Sequence, residues 1–230
     1  MKIYGLQKMT LLDFPGHVAC TVFLGGCDFR CPFCHNYELA EGKAQPLMTE
    51  EELLSFLEKR IGLLDGVAFT GGEPLLHRDL PELLEKIRSL GFSTKVDTNG
   101  NHPKLLREIL DRGLANYVAM DIKNSPEKYA LTCGVDSINM DPILESIDIL
   151  RNSSIDYEFR TTMVEELHHS EDFHRIGKMI DGAKNYYIQS FTDREQVPYA
   201  GLHSPSSEKL IMAIEIASKY VTNAELRGVE

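Results

Sequence analysis

At 230 residues, 43% hydrophobic and 26% charged, the chain has an ordinary globular composition, with apolar content enough for a core that needs no disulfides. Its 24 basic and 35 acidic residues leave a net charge of −11, which disfavours a nucleic-acid partner, since that recognition starts from basic patches. No apolar leader follows Met1 and no apolar run reaches the roughly 18 residues of a membrane span, so a cytoplasmic protein with no membrane partner is expected.

In chain order, Asp13-Phe14-Pro15-Gly16 puts Pro and Gly at the centre of a turn that reverses the chain into a first strand, 19–24. Further strands are expected at 66–70, 94–97, 117–121, 157–162 and 186–189, several of them short apolar runs. Between them run helical stripes. Thr49 and Glu52 form a capping box ahead of Leu53, Leu54, Leu57 and Ile61. Leu80, Leu83, Leu84, Ile87 and Leu90 stop at Gly91, and Leu105, Leu106, Ile109 and Leu110 stop at Gly113. Ile143, Leu144, Ile147 and Leu150 follow, then Phe173, Ile176 and Ile180 ahead of Gly182. A last helix is expected to start at Ser204-Pro205 and to carry Leu210, Ile214 and Val221. Six strand–helix units fall short of the eight that close a TIM barrel. The expected fold class is therefore α/β, a (β/α)6 partial TIM barrel open along one side. No linker rich in Pro, Gly and Ser divides the chain, and a single domain over 1–230 is expected.

Cys27, Cys31 and Cys34 stand in the segment after the first strand with the spacing C-x3-C-x2-C and no fourth cysteine nearby. Three thiolates can hold three irons of a four-iron cluster, which normally takes four, and leave the last iron open. Two other readings use the same residues. Three thiolates and His35 make a Cys3His zinc set, although His35 is adjacent to Cys34 and zinc ligands usually come as two separated pairs. Cys31-Pro32-Phe33-Cys34-His35 also spells the c-type haem attachment string, which belongs to exported proteins. Cys20 and Cys133 stand alone and read as packing residues. The other histidines, His17, His77, His102, His168, His169, His174 and His203, lack metal-ligand spacing and read as structural or solvated.

In a barrel of this type chemistry sits on the loops after each strand. The first strand leads to Gly25-Gly26 and the cysteines, the second to Gly71-Gly72-Glu73-Pro74, and the third to Asp97-Thr98-Asn99-Gly100. The fourth ends in Asp121-Ile122-Lys123, the fifth carries Arg160 and the sixth ends in Gln189. Each of these is also ordinary turn or surface chemistry when taken singly. Together they collect on one rim polar groups able to hold a charged amino acid and a ribose.

In this order, the motifs resemble the radical S-adenosylmethionine (SAM) enzymes, and Cys31-Pro32-Phe33-Cys34-His35-Asn36 is similar to the activating enzymes of glycyl radical enzymes. The resemblance covers the chain from Thr10 to about Gln189 and implies a [4Fe-4S] cluster held by Cys27, Cys31 and Cys34, with SAM on the open iron. It implies that the segment with Gly72 and Glu73 receives the methionine ammonium, and that Phe33, His35 and Asn36 lie along the nucleoside. Asp97, Thr98 and Asp121 are implied at SAM or at a neighbouring monovalent cation. Lys123 and Arg160 are implied at the methionine carboxylate or the substrate backbone. Gln189 stands where some activators have a histidine. The reduced cluster would deliver an electron to the sulfonium, and the resulting 5′-deoxyadenosyl radical would take a hydrogen atom from substrate, so no catalytic side chain is expected.

Within that superfamily, Thr10-Leu11-Leu12-Asp13-Phe14-Pro15-Gly16 running into Val22-Phe23-Leu24-Gly25-Gly26-Cys27 is similar to the activating proteins of anaerobic ribonucleotide reductase, neighbours of the pyruvate formate-lyase activators. The 36 residues between Cys34 and Gly71 contain no cysteine, so no auxiliary cluster is expected. The function implied is generation of a glycyl radical on a partner enzyme, with a flavodoxin- or ferredoxin-type electron donor. Two rivals stand beside it. One is a radical SAM enzyme acting on a small molecule, like the 7-carboxy-7-deazaguanine synthases, with the polar loop 192–204 as a lid. The other is a non-catalytic metal-binding interaction protein, which would have no use for Glu73 or Asp121.

Overall fold

The computed structural model describes residues 1–228. The chain opens with β1 (Lys2–Ile3) and β2 (Gly5–Thr10), then turns through Phe14–His17, where the His17 amide donates to the Phe14 carbonyl at 3.1 Å. Then follow β3 (Ala19–Leu24), the cysteine loop, α1 (Tyr37–Ala40), β4 (Met48–Thr49) and α2 (Glu50–Glu58). Alternating elements complete the fold: β5 (Gly66–Gly71), α3 (Leu80–Ser89), β6 (Ser93–Thr98), α4 (Pro103–Asp111), β7 (Tyr117–Asp121), α5 (Tyr129–Cys133), α6 (Asp141–Arg151), β8 (Asp156–Met163), α7 (Ser170–Met179), β9 (Asn185–Ser190), α8 (Ser207–Ala217) and β10 (Asn223–Arg227).

Among the described residues the main sheet has the order β10-β9-β8-β7-β6-β5-β3-β2, parallel throughout except for β2 against β3. Its end strands do not meet, so the α/β sheet stays open. The six expected strands all form, extended by up to two residues. Two members lay beyond the sequence signal. Gly5-Leu6-Gln7-Lys8-Met9-Thr10 and Asn223-Ala224-Glu225-Leu226-Arg227 are edge strands, half-exposed and with few apolar residues, so neither shows the continuous run of a covered strand.

Alternation along each strand sorts the sheet into two faces. Phe69, Val96, Met120, Phe159 and Ile188 are fully buried in one apolar cluster with Leu84, Ile87, Leu106, Ile109, Ile143 and Ile147 of the helices. The intervening residues Thr70, Asp97, Asp121, Arg160, Thr162 and Gln189 line a cavity instead. The same two-residue period therefore builds both the core and the polar wall of the site.

The helices hold with three corrections. The capping box of α2 is complete: the Thr49 amide donates to the Glu52 carboxylate at 2.8 Å, and the Glu52 amide to Thr49 Oγ1 at 3.3 Å. The helix ends at Glu58, however, so Ile61 falls outside the expected stripe and is 57% exposed. The last helix starts at Ser207 rather than at Ser204-Pro205, because Ser206 is the cap, accepting from the Lys209 amide at 3.3 Å. Ser204 instead donates its hydroxyl to the Phe191 carbonyl at 2.6 Å. Val221 is buried but lies past the end of α8.

Candidate active site

A cavity of about 270 Å³ opens at the carboxyl ends of the parallel strands, where the loops of such a sheet converge. The structure brings every sequence-predicted site residue to its wall: Cys27, Cys31 and Cys34, then Phe33, His35, Asn36, Gly72, Glu73, Asp97, Thr98, Asp121, Lys123, Arg160 and Gln189. Phe29, Ala40, Thr70, Gly71, Asn99 and Thr162 complete the lining.

The cysteine loop is pinned from three sides. Toward β5, the Gly72 amide donates to the Leu24 carbonyl and the Glu73 amide to the Gly26 carbonyl, each at 2.8 Å, and Asn36 Nδ2 donates to the Gly71 carbonyl at 3.0 Å. The two segments touch so closely that a Cβ on Gly72 would fall 1.9 Å from the Gly26 carbonyl oxygen, so only glycine fits there. Toward β6, Asp28 accepts from Asn99 Nδ2 at 2.8 Å and from Asn101, and His102 Nε2 lies 3.2 Å from its carboxylate. Toward α5, the Arg30 amide donates to the Cys133 carbonyl at 2.8 Å. Cys133 is thus buried beside the loop, with its carbonyl anchoring Arg30. Nothing in the sequence singled out Asp28 or His102. One lies inside the cysteine spacing and the other reads as a structural or solvated histidine, and only the fold brings them together.

Burial pushes Cys27 up to about 12 and raises Cys34, whereas Cys31 is shifted downward. Glu73 is buried as well. Its carboxylate accepts from the Leu75 amide at 2.9 Å, the Thr98 hydroxyl at 2.8 Å and the Asn99 amide at 2.7 Å. Burial nevertheless outweighs these donors and lifts it to about 7. Both oxygens are committed to protein groups, so Glu73 ties the β5 loop to the β6 loop while lining the cavity.

The opposite wall is a ladder of ion pairs. Asp97 meets Lys95 Nζ and, at 3.3 Å, Arg160 Nη2, while Asp121 meets Arg160 Nε at 2.9 Å and Lys123 Nζ at 3.0 Å. For Asp121 burial alone would raise the pKa, but Arg160 and Lys123 outweigh it and hold the carboxyl near about 2. Asp97 is lowered for the same reason by Arg160 and Lys95. On the third wall His35 Nε2 hydrogen-bonds the Thr192 carbonyl at 2.8 Å and its ring stacks on Phe191, which ties the cysteine loop to the segment after β9.

The sequence profile of the radical SAM superfamily matches residues 21–179. A Methanocaldococcus jannaschii protein provisionally named a glycyl-radical enzyme activating enzyme is 31% identical over 234 residues, covering 99% of this chain and 96% of that one. The pyruvate formate-lyase-activating enzyme of Clostridium pasteurianum is 31% identical over 218 residues, 91% of this chain and 86% of that enzyme. The crystal structure of Streptococcus suis SuiB bound to S-adenosylmethionine superimposes with a TM-score of 0.66 at 16% identity, over 91% of this chain and 52% of that one. Matches to 7-carboxy-7-deazaguanine synthases cover less than half of this chain.

The family implies a [4Fe-4S] cluster and SAM, and the donor set fits. Three thiols share one cavity with room beside them. Among the described residues no three His, Cys, Asp or Glu side chains converge on a point that would hold a single ion. A cuboidal cluster takes one thiolate per iron, so its ligands stand around the group instead of converging. Among the described residues no helix is long and apolar enough to cross a membrane. Motif, sheet and whole-chain similarity agree: the chain belongs to the radical SAM superfamily, in its family of glycyl-radical enzyme activating enzymes.

Proposed function

We propose that this chain generates a glycyl radical on anaerobic ribonucleotide reductase, working as a single unit over 1–230 in a reducing cytoplasm with a flavodoxin- or ferredoxin-type electron donor. The observation that carries the reading is the composition of one cavity, with three thiols on one wall and alternating Asp, Arg and Lys on the other. Cys27, Cys31 and Cys34 hold the cluster, which when bound supplies the single electron for reductive cleavage of SAM. The backbone of Gly72 and Glu73 lines the place for the methionine ammonium. Phe33, His35 and Asn36 flank the nucleoside, with Gln189 at the end of β9 beside them. Asp97, Thr98 and Asp121 orient the amino-acid end. Lys95, Arg160, Lys123 and Arg227 outnumber the three carboxylates they meet, Asp97, Asp121 and Glu158, by one positive charge, which a methionine carboxylate complements.

A protein substrate is supported by the ground around the cysteine loop. Leu76, whose side chain crowds Gly26, is 42% exposed, and Leu131, on the helix that anchors Arg30, is 64% exposed. Tyr199, near Tyr37, is 58% exposed. Exposed apolar residues beside the cysteine loop are consistent with a protein partner approaching there. The test mixes the reconstituted chain with SAM, a reductant and anaerobic ribonucleotide reductase whose target glycine is deuterated at Cα. The expected result is an EPR doublet on the partner and deuterium in 5′-deoxyadenosine. Label arriving instead from a purine or pterin, with no partner protein present, would overturn the reading.

A further inference from the structure

Lys95 is a charged side chain that pairs with a cavity residue without lining the cavity itself. It lies on β6, two residues before Asp97 and on the same face, and only 2% of its side chain is exposed. Its ammonium hydrogen-bonds Oδ1 of Asp97, and its other neighbour is the ring of Tyr117, 5.9 Å from the nitrogen. As packing, a lysine there is expensive. An apolar chain of similar length would fill the space without the desolvation of an ammonium.

The neighbouring charges say what it does. Asp97 Oδ2 is met by Arg160, Asp121 Oδ1 by Arg160 and Asp121 Oδ2 by Lys123, so Lys95 fills the one remaining carboxylate position, Asp97 Oδ1. Glu158, the next buried acid, does not compete for Lys95. It is held by Arg227 at 2.7 and 2.9 Å and by the Tyr117 hydroxyl at 2.7 Å. Every oxygen of the two cavity aspartates therefore carries a side-chain cation.

We infer that Lys95 is the resident counterion of the SAM site. It neutralises Asp97 from below, so that the methionine carboxylate of SAM can approach without a monovalent metal ion between them. The chain then binds SAM with no requirement for sodium or potassium. This rests on reading the cavity as the SAM site, and Lys95 acts through Asp97 as a positioning residue.

The test is calorimetric titration of SAM into anaerobic, cluster-loaded protein in potassium, sodium and tetramethylammonium chloride at equal ionic strength. The wild-type affinity is expected to stay within about twofold across the three salts. Lys95→Met is expected to lose about tenfold or more in tetramethylammonium chloride and to regain most of it in potassium or sodium, which enter the space the ammonium leaves. Lys95→Arg keeps the wild-type pattern. The wild-type series stands alone if the Met variant does not fold: affinity that climbs about tenfold with potassium overturns the inference. A Lys95→Met loss equal in all three salts also overturns it, since it would mark a merely structural lysine. No SAM binding by the loaded wild type in any salt would instead overturn the reading of the cavity.

Discussion

The two walls of the cavity are built on opposite electrostatic plans. On the cysteine side, thiols and Glu73 are buried among backbone amides and carbonyls with few cations at hand, and burial pushes Cys27 to about 12 and Glu73 to about 7. On the aspartate side, where Asp97 and Asp121 are only partly buried, the shift is reversed, because Arg160 touches both carboxylates and pulls Asp121 to about 2. On one wall burial favours the protonated forms of Cys27, Cys34 and Glu73, and on the other the neighbouring cations favour the ionised carboxylates. A site that holds an anionic thiolate cluster against a zwitterionic amino acid needs both.

The largest way to break the contrast is on the cysteine side. Cys27→Ala, Cys31→Ala and Cys34→Ala should each lose the about four irons and four sulfides expected per chain, measured after anaerobic reconstitution. Cys20→Ala, in the core of β3, should keep them. Next comes the hinge of the other wall. Arg160→Gln leaves two partly buried carboxylates undercompensated, and urea unfolding of the metal-free chain should show a loss on the order of 2 kcal/mol. A loss near that of a surface substitution would show that the ladder is solvated. The smallest effect sharpens the comparison through pH. The folded pKa of Glu73, about 7, lies above its ordinary 4.5, so the folded state keeps a proton that the unfolded state has lost. Stability should therefore fall as pH rises from 4.5 to 7, and Glu73→Gln should flatten that limb. Asp121 has the opposite sign: its folded pKa of about 2 lies below its ordinary 3.8. Its contribution should be present above 3.8 and be lost as pH falls toward about 2.

The parts of the molecule legible in sequence were those with a local cause. The short apolar run in the strand at 66–70, the capping box of Thr49 and Glu52, and the turn at Pro15-Gly16 each act within a few residues, and each formed as read. The cavity residues were legible because they follow strands in order, and a parallel sheet delivers every strand end to one rim. What stayed hidden depends on contacts far apart in sequence. β10 is a strand only because β9 pairs with it, and Asp28 matters only because Asn99, Asn101 and His102 reach it. Lys95 gave no signal because its partner Asp97 already had a role, and the burial of an ammonium cannot be read from one strand alone. Glu73 was legible as a cavity residue but not as a tie between two loops.

The central claim is that both walls serve one ligand pair, and the most direct measurement is EPR of the reduced, reconstituted protein titrated with SAM. SAM should change the cluster signal of the wild type, and Arg160→Gln protein with full iron content should need about tenfold more SAM for the same change. A cluster signal that ignores SAM at every concentration would show that the thiols and the aspartate ladder share a cavity without sharing a function.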